Sequence, residues 1–503
     1  MSQSLTEGAP KGAANNTEKG SAAPNAQRWW ILAIIGIAQL MVVLDATIVN
    51  IALPSAQADL GFSDGNRQWI VTAYALAFAS LLLLGGRIAD LFGRKPAFLI
   101  GVAGFAGASV LGGAANGFEM LVIARALQGV FGALLAPAAL SLLNTTFTDA
   151  REKARAFSVY GAIAGAGGAV GLLLGGLLTD ALDWRWTLYV NLVFAVVAFV
   201  GGWMLLGNHR DAANSKIDYP GTLLVSAGLF SVVYGFSNAE THDWSSPQTW
   251  GFLVAGALLL VAFTQWQTRA KHPLLPMRVL LDRDRGASFL TVLISGAGMF
   301  GVFLFLTYYL QLNLGFSPTK TGLAFMPMMA ALMVAAQVST TKLVPRFGPK
   351  MIIPAGFALG AVGMAWLTGI GVGSDFSTAV LPQLLVIGVG MGVIMPPAMQ
   401  LATSGIGAED AGVASATVNT MQQVGGSIGT ALLSTLAASA ATNYLAGRNA
   451  SDKLVQAQST IESYTTAFWW SAGFFAAGAL ITFLLYRPGV PTQDESAAPV
   501  VHM

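Results

Sequence analysis

The ten residues Gly86-Arg87-Ile88-Ala89-Asp90-Leu91-Phe92-Gly93-Arg94-Lys95 separate two apolar runs, Trp69–Leu84 and Pro96–Gly113. Each run is long enough to cross a bilayer. The loop between them carries three cations and one acid. So short a connection between two spans must lie at a membrane face, and its positive charge predicts the cytoplasmic one.

Composition points the same way. Of 503 residues, 54% are hydrophobic and only 10% charged, against about 25% charged in an ordinary soluble domain. This reads as an all-α polytopic membrane protein. A net charge of +2, confined to loops, gives no reason to expect a nucleic-acid partner. There is no cysteine, which excludes disulfides and thiolate metal sites. The four histidines, His209, His242, His272 and His502, lie in loops or the tail without ligand spacing, so no metal and no cofactor is expected. No G-x-x-x-x-G-K-[ST] loop occurs, so ATP is not the evident energy source and no enzymatic chemistry is expected. The first 28 residues, rich in Ala, Gly, Asn and Ser, read as a disordered tail, and the stretch after Arg487 likewise.

A span needs about 20 apolar residues. Fourteen such runs are expected, near 29–53, 67–85, 96–115, 119–143, 154–179, 186–207, 218–238, 249–268, 286–312, 321–341, 350–371, 377–402, 411–440 and 465–486. An even number puts both tails on one side. Of the 26 Lys and Arg, only Arg67, Arg185, Lys320, Arg448 and Lys453 fall on the other side, and Arg125 lies inside a span. That bias predicts cytoplasmic tails. Tryptophans near span ends, among them Trp29, Trp69, Trp184 and Trp250, suit an aromatic belt.

The chain also echoes itself. Leu343-Val344-Pro345-Arg346-Phe347-Gly348-Pro349-Lys350 is a worn copy of Ile88–Lys95, 255 residues later, and Gly425-Gly426-Ser427-Ile428-Gly429 echoes Gly167–Gly171 at an offset of 258. Both echoes skip eight spans, whereas two bare six-span halves would skip six. The expected division is therefore a tail (1–28), a six-helix bundle (29–207), two inserted spans with their loops (208–285), a second six-helix bundle (286–487) and a tail (488–503). Parallel repeats are a recurring transporter architecture.

Few residues inside the spans carry chemistry. Asp45 follows the apolar run Ile31–Leu44, and extending the helix to Leu53 makes a full span with the acid inside it. An acid there is costly, which marks it as functional by default, and burial favours its protonated form. The bland reading is an acid at a helix end. Arg125 is the other strong intramembrane charge. With Gln128, Gly129, Gly132 and Ala136 it shares one helix face, which should point into the protein. Arg125 is read as the partner that biases Asp45, or as a structural arginine held by carbonyls. In the fifth span Gly161, Gly165, Gly168, Gly171 and Gly175 form a narrow stripe, read as a helix-packing seam. In the thirteenth, Ser415, Asn419, Gln422, Gly426 and Thr430 share a face that should line a cavity or a helix interface. Gln128, Tyr308 and Gln311 join Ser415, Asn419 and Gln422 as candidate cavity residues. Met326, Met328, Met329 and Met333 read as core packing.

These residues carry a resemblance. The opening loop is similar to the G-x-L-a-D-r-x-G-r-k signature of the major facilitator superfamily, with Arg87 where the pattern is loosest. Leu44–Pro54 resembles the first-span motif of that superfamily's fourteen-span drug/proton antiporters. Leu121–Gly132 looks like its fourth-span motif. Gly171-Leu172-Leu173-Leu174-Gly175-Gly176 looks like the antiporter motif G-P-x-x-G-G, with Leu172 in place of the proline. Asp183–Trp186 and Asn191 match around the sixth span. The resemblance implies a major facilitator fold of two six-helix bundles plus two additional helices. It also implies proton-coupled export of hydrophobic, often cationic drugs or antibiotics across the cytoplasmic membrane by a monomer, with a role in resistance. Asp45 and Arg125 would couple protons. Gly86, Arg87, Asp90, Gly93, Arg94, Lys95 and Asp149 would form a cytoplasmic gating motif. A facilitator-type importer of nutrients and a non-transporting membrane sensor are the alternatives. The first has no reason for the Gly171–Gly176 motif, and the second has no reason for an intramembrane Asp–Arg couple.

Overall fold

The computed structural model describes residues 25–489 apart from 64, 148, 208–217, 243, 407–410 and 450. Most of the two expected tails lies outside the described residues. Among the described residues, fourteen helices are long and apolar enough to cross a membrane, and there is no strand. They are α1 (Asn25–Leu60), α2 (Arg67–Phe92), α3 (Arg94–Gly113), α4 (Phe118–Thr146), α5 (Ala150–Ala181), α6 (Trp186–Leu205), α7 (Tyr219–His242), α8 (Pro247–Gln267), α9 (Arg283–Tyr308), α10 (Pro318–Val338), α11 (Pro349–Leu367), α12 (Leu381–Thr403), α13 (Ala411–Leu445) and α14 (Lys453–Leu485). Alternation places the start of α1 and the end of α14 on one face, called here the tail face. The opposite side is the far face.

Several helices outrun their expected bounds. Helix α2 continues to Phe92 and α3 starts at Arg94, so of the expected loop 86–95 only Gly93 stands outside a helix. Helix α1 runs through Pro54 to Leu60, so Asp45 lies well inside it. Helix α14 begins at Lys453, earlier than hydropathy indicates. Asp452 caps it by accepting from the Leu454 N–H at 2.9 Å, and its polar first turns still bury Ser459, Ile461 and Tyr464.

The packing repeats with a shift of eight helices. In the first half α4 packs on α2 and α3, α1 on α5 and α6, and α3 on α6. In the second, α12 packs on α10 and α11, α9 on α13 and α14, and α11 on α14. Two crossed pairs join the halves, α2 with α13 and α5 with α10. The backbone carries the same echo. Gly93 and Gly348, 255 residues apart, turn the chain into α3 and α11 with φ of 101° and 77°. Those are backbone angles only glycine adopts freely.

Helices α7 and α8 pair as a hairpin, and α7 rests against α2 and α13. Asp218, buried just before α7, holds their tail-face ends together. It accepts from the Gly221 N–H at 2.9 Å, the Trp266 indole at 2.7 Å and the Gln267 amide at 2.7 Å. Gln267 in turn accepts from the Leu275 N–H at 3.0 Å, fixing the loop after α8. Arg87 donates to the Pro273 carbonyl of that loop at 3.3 Å.

Close backbone approach is what the glycines supply here. A Cβ on Gly129 of α4 would stand 2.4 Å from the Tyr74 carbonyl oxygen of α2, whereas one on Gly107 of α3 would meet nothing within 4 Å. Gly129→Val is therefore expected to lower stability by about 1–3 kcal/mol and Gly107→Val to leave it near wild type. Thermal unfolding in detergent of the two variants side by side checks this.

Candidate functional site

The structure brings Asp45 and Arg125 together in the interior of the first half. Asp45 is 0% exposed and Arg125 2%. Their charged atoms, Arg125 Nη1 and Asp45 Oδ2, lie 2.6 Å apart. The other carboxylate oxygen accepts from Gln128 Nε2 at 2.8 Å and Asn191 Nδ2 at 2.7 Å. Gln128 and Asn191 also donate to Ser109 Oγ, at 2.8 Å and 3.3 Å. The guanidinium is tied down separately. Arg125 Nε donates to the Ile70 carbonyl at 3.0 Å, and Nη1 also donates to Gln128 Oε1 at 2.7 Å. Its Cζ lies 4.6 Å from the centre of the Tyr74 ring, a cation–π contact. One acid from α1 thus meets donors from α4 and α6, and Ser109 of α3 accepts from the two amides beside it.

Two charges out of water cost several kcal/mol each unless geometry and hydrogen bonds are good. Here both carboxylate oxygens are bonded, and the planar fork of the arginine reaches a carboxylate, an amide and a backbone carbonyl together. A proton added to Asp45 removes the charge that holds Arg125, and every partner must then reorder. On the far-face side of Arg125 a cavity of about 10 Å³ lies against Val49, Ala52, Ile70, Leu121 and Thr187. That is room for about one water.

Ser109 and Asn191 completed this site without being expected in it. The signal available for each was a lone polar side chain in the middle of an apolar helix. Gln128, expected to line a substrate cavity, is 0% exposed and belongs to the Asp45 network instead. Its place on the Arg125 face made the two readings indistinguishable in sequence.

Tyr308 and Gln311 also stand elsewhere than expected. Tyr308 donates to Gln57 Oε1 at 2.6 Å, and Gln311 Nε2 donates to the Ile51 carbonyl at 2.9 Å. Both bonds join α9 and the π-helical turn Tyr309–Asn313 to α1, across the two halves. Arg67 of α2 lies over the Tyr308 ring at 4.3 Å. These residues close the far face rather than line an open chamber. Ser415, Asn419 and Gln422 are half-buried on one face of α13, with Asn419 donating to the Ser415 carbonyl at 3.1 Å.

The glycine stripe of α5 is a seam for only part of its length. Gly171 and Gly175 do abut α1, where a Cβ would stand 2.0 Å from Thr47 Oγ1 and 2.8 Å from the Ile48 carbonyl oxygen. On Gly161, Gly165 and Gly168 a Cβ would meet nothing within 4 Å. The stripe was legible, but what stands opposite each glycine was not.

In the Gly86–Lys95 segment, Lys95 Nζ donates to the carbonyls of Trp203 and Leu206, both at 2.7 Å. It thereby caps the C-terminal end of α6, where a cation is favoured. Asp149 accepts from the Glu152 N–H at 3.0 Å and so caps the start of α5. The side chain of Asp90 lies outside the described residues. Among the described residues no group of three or more His, Cys, Asp or Glu is placed to hold a metal ion.

Residues 35–430 match the family model described as Major Facilitator Superfamily. The chain is 47% identical over 480 residues to a puromycin resistance protein of Streptomyces alboniger, covering 95% of both chains. It is 36% identical over 470 residues to a cephamycin export protein of Amycolatopsis lactamdurans, covering 93% of both. Among solved structures, a bacterial homologue of the human lysosomal transporter Spinster, captured inward-facing and unoccupied, superposes with a TM-score of 0.65 at 14% identity, covering 92% of this chain and 97% of that one. At that identity the likeness speaks for the fold alone.

The geometry makes Arg125 hard to replace. Arg125→Ala leaves a buried, unpaired carboxylate and is expected to destabilise the protein by about 3–5 kcal/mol. Arg125→Lys keeps the charge but cannot reach Ile70 and Asp45 together, and should fall between that variant and wild type. Thermal unfolding of the purified variants gives the order.

Proposed function

We infer that this chain, which belongs to the major facilitator superfamily, exports hydrophobic, often cationic drugs or antibiotics in exchange for protons. The chain is a transporter and a multi-pass membrane protein, not an enzyme. Its likeness, along almost the whole chain, to antibiotic resistance and export proteins supports a small-molecule drug as cargo. The observation that carries proton coupling is the fully buried Asp45 held by Arg125, Gln128 and Asn191.

The proposed cycle follows from that geometry. Charged Asp45 holds Arg125 and keeps α1, α3, α4 and α6 in one arrangement. Protonation, with water reaching the pair from the far face, frees the guanidinium and biases the halves toward the other arrangement. Loss of the proton on the opposite side resets the pair. A coupling of this kind works only if the two arrangements differ in their affinity for the proton. The tail face is taken as cytoplasmic on the strength of its Lys and Arg excess, and the protein as a monomer in the cell membrane. Bundles 29–207 and 286–487 would rock against each other, with the stretch 208–285 outside the proton site.

Asp45→Asn keeps the amide-sized shape but cannot carry a proton. Reconstituted in proteoliposomes, this variant is expected to lose substrate-induced proton release while still inserting. Release at the wild-type rate would remove Asp45 from the role. A panel of dyes and antibiotics, tested with and without an uncoupler, separates export from import and identifies the cargo class.

For the loop that opened the sequence, we read Asp90 as a cytoplasmic latch between helices. Asp90→Asn should impair turnover at normal membrane levels, whereas a loop that only sets topology needs no acid and would transport normally. Initial rates normalised to protein amount decide between them.

A further inference from the structure

Opposite the tail face, α5 and α10 meet end to end across the two halves. Asp180, near the end of α5, accepts from the Thr319 N–H at 2.9 Å, and hydroxyls of Thr319 and Ser317 also bond to it. Ser317 is the cap of α10, accepting from the Lys320 N–H at 3.3 Å, and Pro318 opens its first turn. The Asp180 carboxylate therefore sits on the N-terminal end of a helix from the other half, where negative charge is favoured. The backbones below it nearly touch. A Cβ on Gly176 would stand 2.5 Å from the Pro318 carbonyl oxygen, and one on Gly322 would stand 2.5 Å from that of Leu172.

The same face of α5 tells a different story toward the other end. Positions 161, 165, 168, 172 and 176 lie on one helical stripe. Leu172 and Gly176 press on α10, yet at Gly168, Gly165 and Gly161 a Cβ would find nothing within 4 Å. The two helices thus converge at the far face and diverge toward the tail face.

We propose that Asp180 is the extracytoplasmic latch of the transport cycle, a positioning residue that holds the outer end shut through the start of α10. Opening outward requires α5 and α10 to part at Gly176 and Gly322, which breaks these bonds. Because Asp180 is exposed, water replaces the lost donors, so the latch holds by a small margin, as a two-state gate needs. The proposal rests on the transporter reading. Its test is a distance measurement that needs neither drug nor proton gradient, so the two stand or fall separately.

The chain contains no cysteine, so spin labels can be placed directly on the full-length protein. Leu177 on α5 and Leu323 on α10 are 45% and 52% exposed and flank the contact. Labels on Leu177→Cys/Leu323→Cys should report one short distance in the otherwise wild-type protein. Adding Asp180→Ala should shift the closed-to-open ratio toward longer distances by roughly three- to tenfold, the effect of losing one capping carboxylate. Gly176→Ala, which leaves the acid in place and wedges the helices apart, should shift it the same way. A control pair on Leu177 and Val193, both in the first half, should not move. With fewer molecules loading drug from inside, the apparent KM for export should rise by the factor the closed fraction falls, while kcat changes less. An unchanged distance distribution in both Asp180→Ala and Gly176→Ala would overturn the latch.

Discussion

A carboxylate and a guanidinium held in contact and buried from bulk solvent constrain the packing of the first half of this molecule. The pair is tolerated because α3, α4 and α6 each bring a polar group to it, and those groups are aligned only when the helices sit in one register. The glycines that let α2 and α4 touch, and the Lys95 contact that ties α3 to the end of α6, serve that register. The packing of the first half is in this sense organised around two charges. Their mutual dependence also makes the site responsive, since a single proton changes the balance of the whole cluster.

Much of this was legible in the chain. Span number follows from hydropathy, because a bilayer imposes a length that soluble folding does not. The skip of eight spans between echoes was visible in residue offsets, and the pairing of helices repeats with the same shift. Asp45 and Arg125 stood out because charges inside spans are costly. Ser109 did not, since a lone hydroxyl in a span carries no periodic mark, and Asn191 was picked out by resemblance alone, with nothing in the sequence to place it beside Asp45. Tyr308 and Gln311 show the limit most clearly. A polar side chain near a helix end has the same sequence signature whether it faces a water-filled chamber or a partner helix. Only the fold, by bringing Gln57 and the Ile51 carbonyl opposite them, decides.

The additional hairpin is more closely tied to the transport core than its position between the halves suggests. Asp218 fixes the ends of α7 and α8, Gln267 passes that order to the following loop, and the loop offers its Pro273 carbonyl to Arg87. The extra helices therefore hold the tail-face end of α2, without contributing to the Asp45 cluster.

Among the described residues, every buried charged side chain of the two halves belongs to the first: Asp45, Arg67 and Arg125. From α9 to α14 the buried polar groups are neutral hydroxyls and amides. The halves therefore differ in what a substitution costs. In the first, removing one partner of the Asp45–Arg125 pair strands a charge away from water, at a cost of about 3–5 kcal/mol. In the second, exchanging a buried hydroxyl or amide for a residue of similar size strands no charge, so more sequences are compatible with the same packing.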